Sequence, residues 1–282
     1  METALASGGA DQSYWGVLVS DADNGQALYT LNAARFFMPA SNAKLFTTVL
    51  ALSTLGPDFR ERTTIETAGT VDSSGQLQGD LVLVGRGDAN LSNRVLPYVK
   101  RDVRNGPPEK ALAELADRVV ASGVKRISGD VVADDSYFAA GRFPPGWTID
   151  DTVWSYGAAV SAIAINDNAI SLVVRPGAAV AAPLSFQVAP WSGLYEIRND
   201  AATTAARTEA QLRLSRDPES RVIRLSGTVP LDAPARELLP AITEPAENAA
   251  MLLMRMLQGR GVAIAGRSRA IHADDTIPKP PP

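Results

Sequence analysis

The sequence predicts an α+β protein, and three observations lead to that prediction. A helical run begins at Ser41, after two stretches that alternate as strands do. A helical pattern at residues 107–122 is followed by short apolar runs that are typical of strands. Residues 162–229 then contain mostly short strand-like segments, so helical and strand-like regions occupy different parts of the chain.

The N-terminal region is predicted to form a hairpin that leads into a helix. Residues 14–20 and 26–30 read as two strands joined by a turn that is rich in Asp, Asn and Gly. Pro39 precedes Ser41, and an apolar run and then Gly56-Pro57 follow it. A proline before the first turn and a glycine after the last are typical helix boundaries, so one helix is expected to begin near Ser41.

The remaining elements are predicted in chain order from the same signals. A second hairpin is expected where residues 65–68 and 77–84 bracket the turn 72–75. A helix is expected from Pro107-Pro108 to Gly123, and another over residues 247–258. Strands are expected at residues 124–127, 131–133, 170–174, 184–188, 211–214, 222–225 and 262–265, before a proline-rich end at 277–282.

Ser41 and Lys44 are the strongest candidates for chemistry. Positions three apart share one face of a helix, so the hydroxyl and the amine can meet. A serine needs a base before it attacks a carbonyl, and lysine can be that base where burial or nearby positive charge lowers its pKa. The alternative is an ordinary helix cap with a solvated lysine. The same spacing recurs at Ser122 and Lys125, but there Gly123 ends a helix and takes Lys125 off the face of Ser122.

Composition excludes several other chemistries. The chain has no cysteine, which removes thiol nucleophiles, disulfides and cysteine-ligated zinc. His272 is the single histidine, and its acidic neighbours before the proline-rich end predict a solvated surface residue rather than a member of a Ser-His-Asp triad. We expect no metal and no cofactor. The net charge of −4 gives no case for nucleic acid, and neither a transmembrane segment nor a signal peptide is visible.

Several segments together carry a resemblance to one protein family. They are Pro39-Ala40-Ser41-Asn42-Ala43-Lys44-Leu45 with Thr47-Thr48, Leu55-Gly56-Pro57-Asp58, Gly79-Asp80-Leu81-Val82-Leu83 with Gly87-Asp88, residues 123–132, Pro145-Gly146-Trp147 and Ile165-Asn166-Asp167-Asn168. In these segments the sequence is similar to the class C low-molecular-mass penicillin-binding proteins, which are D-alanyl-D-alanine carboxypeptidases and endopeptidases of bacterial cell walls. The resemblance covers nearly the whole chain.

The resemblance implies a nested domain organisation. Residues 1–62 and 241–282 would form part of a transpeptidase-like (serine β-lactamase-like) catalytic domain. Residues 63–88 and 160–240 would form a strand-rich second domain, and residues 89–159 a small α/β-like domain inserted in it.

The resemblance also implies roles for individual residues. Ser41 would be acylated by a peptidoglycan stem peptide ending in D-Ala-D-Ala, or by β-lactam antibiotics as covalent inhibitors, and Lys44 would take the serine proton. Asp134 would be the counter-charge for the free amine of the stem peptide, and Phe138 an apolar wall; a strand-end turn is the alternative for Asp134. A periplasmic or other extracytoplasmic location is implied as well.

Two further motifs of that family, Ser-x-Asn and Lys-Thr-Gly, occur nowhere in the 282 residues. The sequence therefore resembles an N-terminal portion of such an enzyme, and we expect this chain alone to be inactive or impaired, since losing one oxyanion donor alone costs about 3 kcal/mol. Three interpretations remain open: a serine D-Ala-D-Ala carboxypeptidase or endopeptidase, a non-catalytic peptidoglycan-peptide binding module or inert remnant, and a serine hydrolase with unrelated substrates.

Overall fold

The fold was obtained as a computed structural model that describes residues 2–95, 97, 103–139, 141–218 and 220–273. The chain divides into two compact units, Met1–Phe59 and Arg60–Pro282. Both units mix helices and strands, so the α+β class predicted from the sequence is confirmed.

The first unit contains the hairpin and the helix that the sequence predicts. Its elements are helix α1 (Glu2–Leu5), strands β1 (Val17–Ser20) and β2 (Ala27–Leu31), and helix α2 (Ala43–Leu55). The strands pair antiparallel, with Val17 opposite Leu31. A 3-10 turn at Ala40–Asn42 leads directly into α2, and Gly56, with a φ of 81°, ends it. A residue without a Cβ reaches this left-handed region at little cost, which explains the stop.

The second unit begins with six strands and one helix. These are β3 (Thr64–Glu66), β4 (Thr70–Val71), β5 (Gln76–Gln78), β6 (Leu81–Val84), helix α3 (Lys110–Ala121), β7 (Arg126–Ile127) and β8 (Val131–Asp134). The predicted hairpin over residues 65–84 is confirmed, because β3 pairs antiparallel with β6, and β4 with β5, in one register around the turn 72–75. The run 77–84 is nevertheless divided into two strands, β5 and β6, which belong to two different sheets.

The middle of the second unit is strand-rich, as predicted. Its strands are β9 (Ser171–Arg175), β10 (Ser185–Ala189), β11 (Glu196–Thr204), β12 (Gln211–Ser215), β13 (Val222–Pro230) and β14 (Arg236–Leu238). They form two three-stranded sheets, in the orders β10-β9-β14 and β11-β13-β12. Leu172, Leu225 and Leu238 are buried in one apolar cluster of this region.

The last described elements add one strand to each of the first two sheets of the second unit. Helix α4 (Pro245–Gly259) is followed by β15 (Ala263–Ile264) and β16 (Ser268–Ile271). Two four-stranded sheets result, in the orders β15-β7-β5-β4 and β16-β8-β6-β3, with β15 and β16 parallel to their neighbours. The largest core cluster joins these sheets to both helices through Leu83, Leu112 and Leu253.

The packing bears on how the C-terminal residues group with the rest of the chain. The sequence prediction placed residues 241–282 with 1–62, but the described part of that segment packs within the second unit. The nesting of domains stays a prediction. The proline-rich end at 277–282 lies outside the described residues.

Candidate active site

Ser41 and Lys44 meet at the start of α2. The side-chain nitrogen Nζ of Lys44 lies 2.9 Å from Ser41 Oγ, within hydrogen-bond distance. Ser41 is the middle residue of the 3-10 turn, and Lys44 is the second residue of the α-helix that continues it. The i, i+3 spacing that the sequence shows is therefore realised as a direct serine–lysine contact.

The backbone around this pair is unusual at one position. Ala40, immediately before Ser41, has a positive φ of 45°, a region in which alanine is strained. Residues held in sparsely populated backbone regions cluster at functional sites, because the surrounding structure must enforce them. The turn of α2 behind Lys44 is fixed by Thr48, whose hydroxyl donates to the Lys44 carbonyl oxygen at 2.8 Å.

The second Ser-x-x-Lys sequence forms no such pair. Ser122 caps the C-terminal end of α3, and its hydroxyl donates to the Val119 carbonyl oxygen at 2.7 Å. Gly123 has a φ of 92° and turns the chain away, so that the Lys125 backbone N–H donates to Gly75. The prediction that helix context separates the two sequences is confirmed.

Asp134 and Phe138 lie in one segment of the second unit, at and after the end of β8. Asp134 Oδ1 accepts the backbone N–H of Ser136 at 2.8 Å, which is the strand-end turn that the sequence offered as an alternative. The Phe138 ring lies against Gly87, since a Cβ at Gly87 would stand 2.7 Å from Phe138 Cζ. Phe138 and Asp135 together line a cavity of about 150 Å³, and Asp134 is not among its described lining residues.

Asp135 anchors a cluster that sequence reasoning missed. Its Oδ1 lies 2.7 Å from Nδ1 of His272, and its Oδ2 accepts the Ser161 hydroxyl at 2.7 Å. His272 remains 43% exposed at the side chain, but it is held by a carboxylate rather than freely solvated. The carboxylate stands between the serine and the histidine, so the histidine cannot take the serine proton as it does in a Ser-His-Asp triad.

Metal binding and membrane crossing each require a distinct structural feature in the described residues. No group of three or more His, Asp or Glu side chains in that part of the chain could hold a metal ion. None of the helices in the described ranges combines the length and the apolar character needed to cross a membrane.

The serine–lysine pair at a helix start defines the chain as a candidate serine acyl-transfer protein, and comparison with known proteins gives the family. The family model for D-Ala-D-Ala carboxypeptidase 3 (S13) matches residues 1–275. The chain belongs to that family.

Two curated relatives are D-alanyl-D-alanine carboxypeptidases. A D-alanyl-D-alanine carboxypeptidase of Actinomadura sp. (strain R39) is 32% identical over 256 residues, which is 89% of this chain and 44% of that protein. The D-alanyl-D-alanine carboxypeptidase DacB of Haemophilus influenzae is 28% identical over 153 residues, 54% of this chain and 28% of that protein. The chain thus spans less than half the length of either relative.

Solved structures show the same fold. The crystal structure of penicillin binding protein 4 (dacB) from Haemophilus influenzae superposes with a TM-score of 0.75 at 21% identity, covering 90% of this chain and 52% of that one. A second structure of that protein, complexed with a novel β-lactam, gives a TM-score of 0.67 at 20% identity, covering 91% and 51%. The resemblance to penicillin-binding proteins that the sequence suggested is confirmed.

Proposed function

We propose that the whole protein is a serine-type D-alanyl-D-alanine carboxypeptidase or endopeptidase that acts on peptidoglycan stem peptides outside the cytoplasm. The observation that carries this proposal is the 2.9 Å contact between Lys44 Nζ and Ser41 Oγ. Membership of the carboxypeptidase family supports it. A pure binding module has no need of an aligned serine and lysine at the start of a helix.

The proposed reaction proceeds through an ester on Ser41. Lys44 takes the proton from Ser41 Oγ as this oxygen attacks the carbonyl carbon of the penultimate D-alanine. The bond from that carbon to the terminal D-alanine nitrogen then breaks, the leaving amine gains a proton, and D-alanine departs. Water hydrolyses the remaining ester and restores the serine hydroxyl. The backbone N–H of Ser41 supplies one hydrogen bond to the tetrahedral oxyanion.

A second part of the proposal concerns the stem-peptide amine. Asp134 supplies the counter-charge and Phe138 the apolar wall, as the family resemblance implies. Asp134 keeps its Oδ2 available for this role because only Oδ1 is used by the Ser136 N–H among the described contacts. Phe138 is 40% exposed and stacks at a tilt against Tyr137, with ring centroids 5.4 Å apart.

The exposed apolar surface of α2 fits a catalytic domain that extends beyond these residues in the whole protein. Its side chains Leu45, Phe46, Val49, Leu50, Leu52 and Leu55 are each at least half exposed. A helix surface of this width that is mostly apolar is normally covered by other parts of a protein. We therefore propose that the additional length seen in the relatives packs against α2, and that the 282 residues alone acylate weakly.

The test is the intact mass of the protein after incubation with benzylpenicillin. We expect a penicilloyl adduct that Ser41→Ala abolishes and that Ser122→Ala, the matched serine of the second Ser-x-x-Lys sequence, leaves in place. An adduct that persists in Ser41→Ala would refute the assignment of the nucleophile. No adduct at saturating drug would favour a peptidoglycan-peptide binding module, to be tested through Asp134.

A further inference from the structure

A second cavity of about 320 Å³ lies in the second unit, apart from the segment of Asp134 and Phe138. Its walls include the left-handed turn at Asn166–Asn168, the start of β9 and the end of β14. The polar side chains that line it are Arg104, Ser155, Asn166, Asp167, Ser171 and Glu237. Its volume falls in the range of sites that take small organic ligands.

Arg104 brings a cation with a free donor to one wall. Its Nε donates to the Ser92 carbonyl oxygen at 3.1 Å, and its Nη2 donates to Asp167 Oδ2 at 3.2 Å. Among the described residues, its Nη1 has no acceptor. The side chain is only 21% exposed, so the guanidinium is positioned by its two contacts rather than mobile in solvent. A guanidinium edge held in this way is suited to bind a carboxylate.

Glu237 brings an anion whose charge is not balanced nearby. Its Oε1 accepts the hydroxyl of Ser171, which fixes the carboxylate at the cavity wall. No Lys, Arg or His nitrogen in the described part of the chain lies within ion-pair distance of it. A carboxylate of this kind accepts hydrogen bonds from an ammonium group.

Asn166 adds a neutral acceptor to the lining of the same cavity. Asn166 as a whole residue is 4% exposed. Its side-chain Nδ2 donates to the Ala169 carbonyl oxygen at 2.8 Å. The amide orientation that this bond fixes leaves Oδ1 without a donor among the described residues. The amide oxygen is therefore open to an N–H donor that enters the cavity.

We propose that this cavity binds a short zwitterionic peptide, with the peptide carboxylate on Arg104, its ammonium group on Glu237 and a backbone N–H on Asn166 Oδ1. A dipeptide carries all three groups within the available volume. The site goes beyond the proposed acylation at Ser41 and does not depend on it, because none of its residues takes part in that reaction.

The first experiment compares three ligands on the unmodified protein by NMR titration or calorimetry. Glycylglycine carries both charges, N-acetylglycylglycine lacks the ammonium, and glycylglycinamide lacks the carboxylate. Partly exposed ion pairs contribute up to about fivefold in affinity each, so we expect each blocked peptide to bind about fivefold more weakly than glycylglycine. Equal affinity for all three, or no binding by any at about 20 mM, overturns the proposal.

The second experiment assigns the ammonium to Glu237. Glu237→Gln keeps an oxygen for the Ser171 hydroxyl and should lower the affinity for glycylglycine about fivefold while leaving N-acetylglycylglycine unchanged. Glu196→Gln is the matched control, because that carboxylate is also exposed on a strand but pairs with Arg198 at 3.1 Å. Ser41→Ala should leave all affinities unchanged. An equal loss for both peptides in Glu237→Gln, or loss in Ser41→Ala, contradicts the assignment.

Discussion

Arg269 Nε lies 2.8 Å from Asp130 Oδ2 and so ties β16 to the start of β8. The same guanidinium donates through Nη2 to Asp80 Oδ2 at 2.7 Å, immediately before β6. Asp80 Oδ1 in turn accepts the Asp130 backbone N–H at 2.7 Å. One arginine and two aspartates therefore fix the register of three adjacent parallel strands at one end of their sheet.

Replacing Arg269 by methionine should destabilise the second unit. Two carboxylates that are 37% and 25% exposed would lose their cation, and we expect the free energy of unfolding to fall by about 1–2 kcal/mol. Denaturant unfolding measures the change. Arg198→Met is the control, since its partner Glu196 is 59% exposed, and it should change stability by less than about 0.5 kcal/mol. Equal losses of unfolding free energy in the two variants would show that the contacts of Arg269 across three strands stabilise the protein no more than an exposed ion pair does.

Asp130 should make stability depend on pH in the acid range. The backbone N–H of Arg267 and then the Arg269 guanidinium hold the pKa of Asp130 below its usual range. The folded state therefore binds fewer protons than the unfolded state there, so the contribution is complete above the unfolded pKa of about 3.9 and is lost as pH falls through the lower folded value. Asp130→Asn should be less stable than the native protein at pH 7, and the difference should shrink towards pH 3.

The comparison needs an aspartate outside such a network. Asp200 is exposed on β11 and has no side-chain hydrogen bond among the described residues. Asp200→Asn should therefore change the free energy of unfolding at pH 7 by less than Asp130→Asn does. If the Asp130→Asn difference stayed constant between pH 3 and 7, the Arg267 and Arg269 contacts could not be the cause of acid sensitivity.

Features that depend on local sequence could be predicted. The contact between Ser41 and Lys44 follows from helix geometry alone, because residues three apart on one helix face always lie close. The prediction that α3 ends at Gly123 also depends only on local sequence, since a glycine in the left-handed region ends a helix. Both predictions needed no knowledge of distant parts of the chain.

Features that join distant segments of the chain could not be predicted from the sequence. The run 77–84 alternates like one strand, but it is divided between two sheets because β5 pairs with β7 and β6 pairs with β8. Sequence periodicity predicts strands but does not identify their partners. Strand β16 carries Arg269 and was missed because it is short and half polar. His272 and Asp135 are 137 positions apart, and no local pattern connects them. The sequence offered only the fact that His272 is the single histidine, which does not identify its partner.

Gly87 should not tolerate alanine, for two separable reasons. Its φ of 91° strains any residue with a Cβ, and the new Cβ would stand 2.7 Å from Phe138 Cζ. Gly123→Ala isolates the first effect, because its φ is 92° and nothing lies within 4 Å of the added Cβ. We expect Gly123→Ala to lower the free energy of unfolding by about 1 kcal/mol and Gly87→Ala by about 2–3 kcal/mol.

A double variant tests whether the excess comes from the Phe138 ring. Adding Phe138→Ala to Gly87→Ala should remove the steric part and leave only the backbone strain, so the two changes should be less destabilising together than the sum of each alone. Additive losses would mean that the ring moves aside freely. The proposed apolar wall for the stem peptide would then not be rigid.

Lys44 should act as a base rather than as a fixed positive charge. Lys44→Arg keeps the charge near Ser41 Oγ, but a guanidinium does not give up its proton near neutral pH and so cannot accept one from the serine. We expect Lys44→Arg and Lys44→Ala to slow benzylpenicillin acylation by the same factor, on the order of 10²–10⁴, when adduct mass is followed over time. Lys125→Arg, the matched lysine of the second Ser-x-x-Lys sequence, should leave the rate unchanged. If Lys44→Arg retained most of the rate while Lys44→Ala lost it, the lysine would serve by its charge alone, and the proton of Ser41 would have to go to another group.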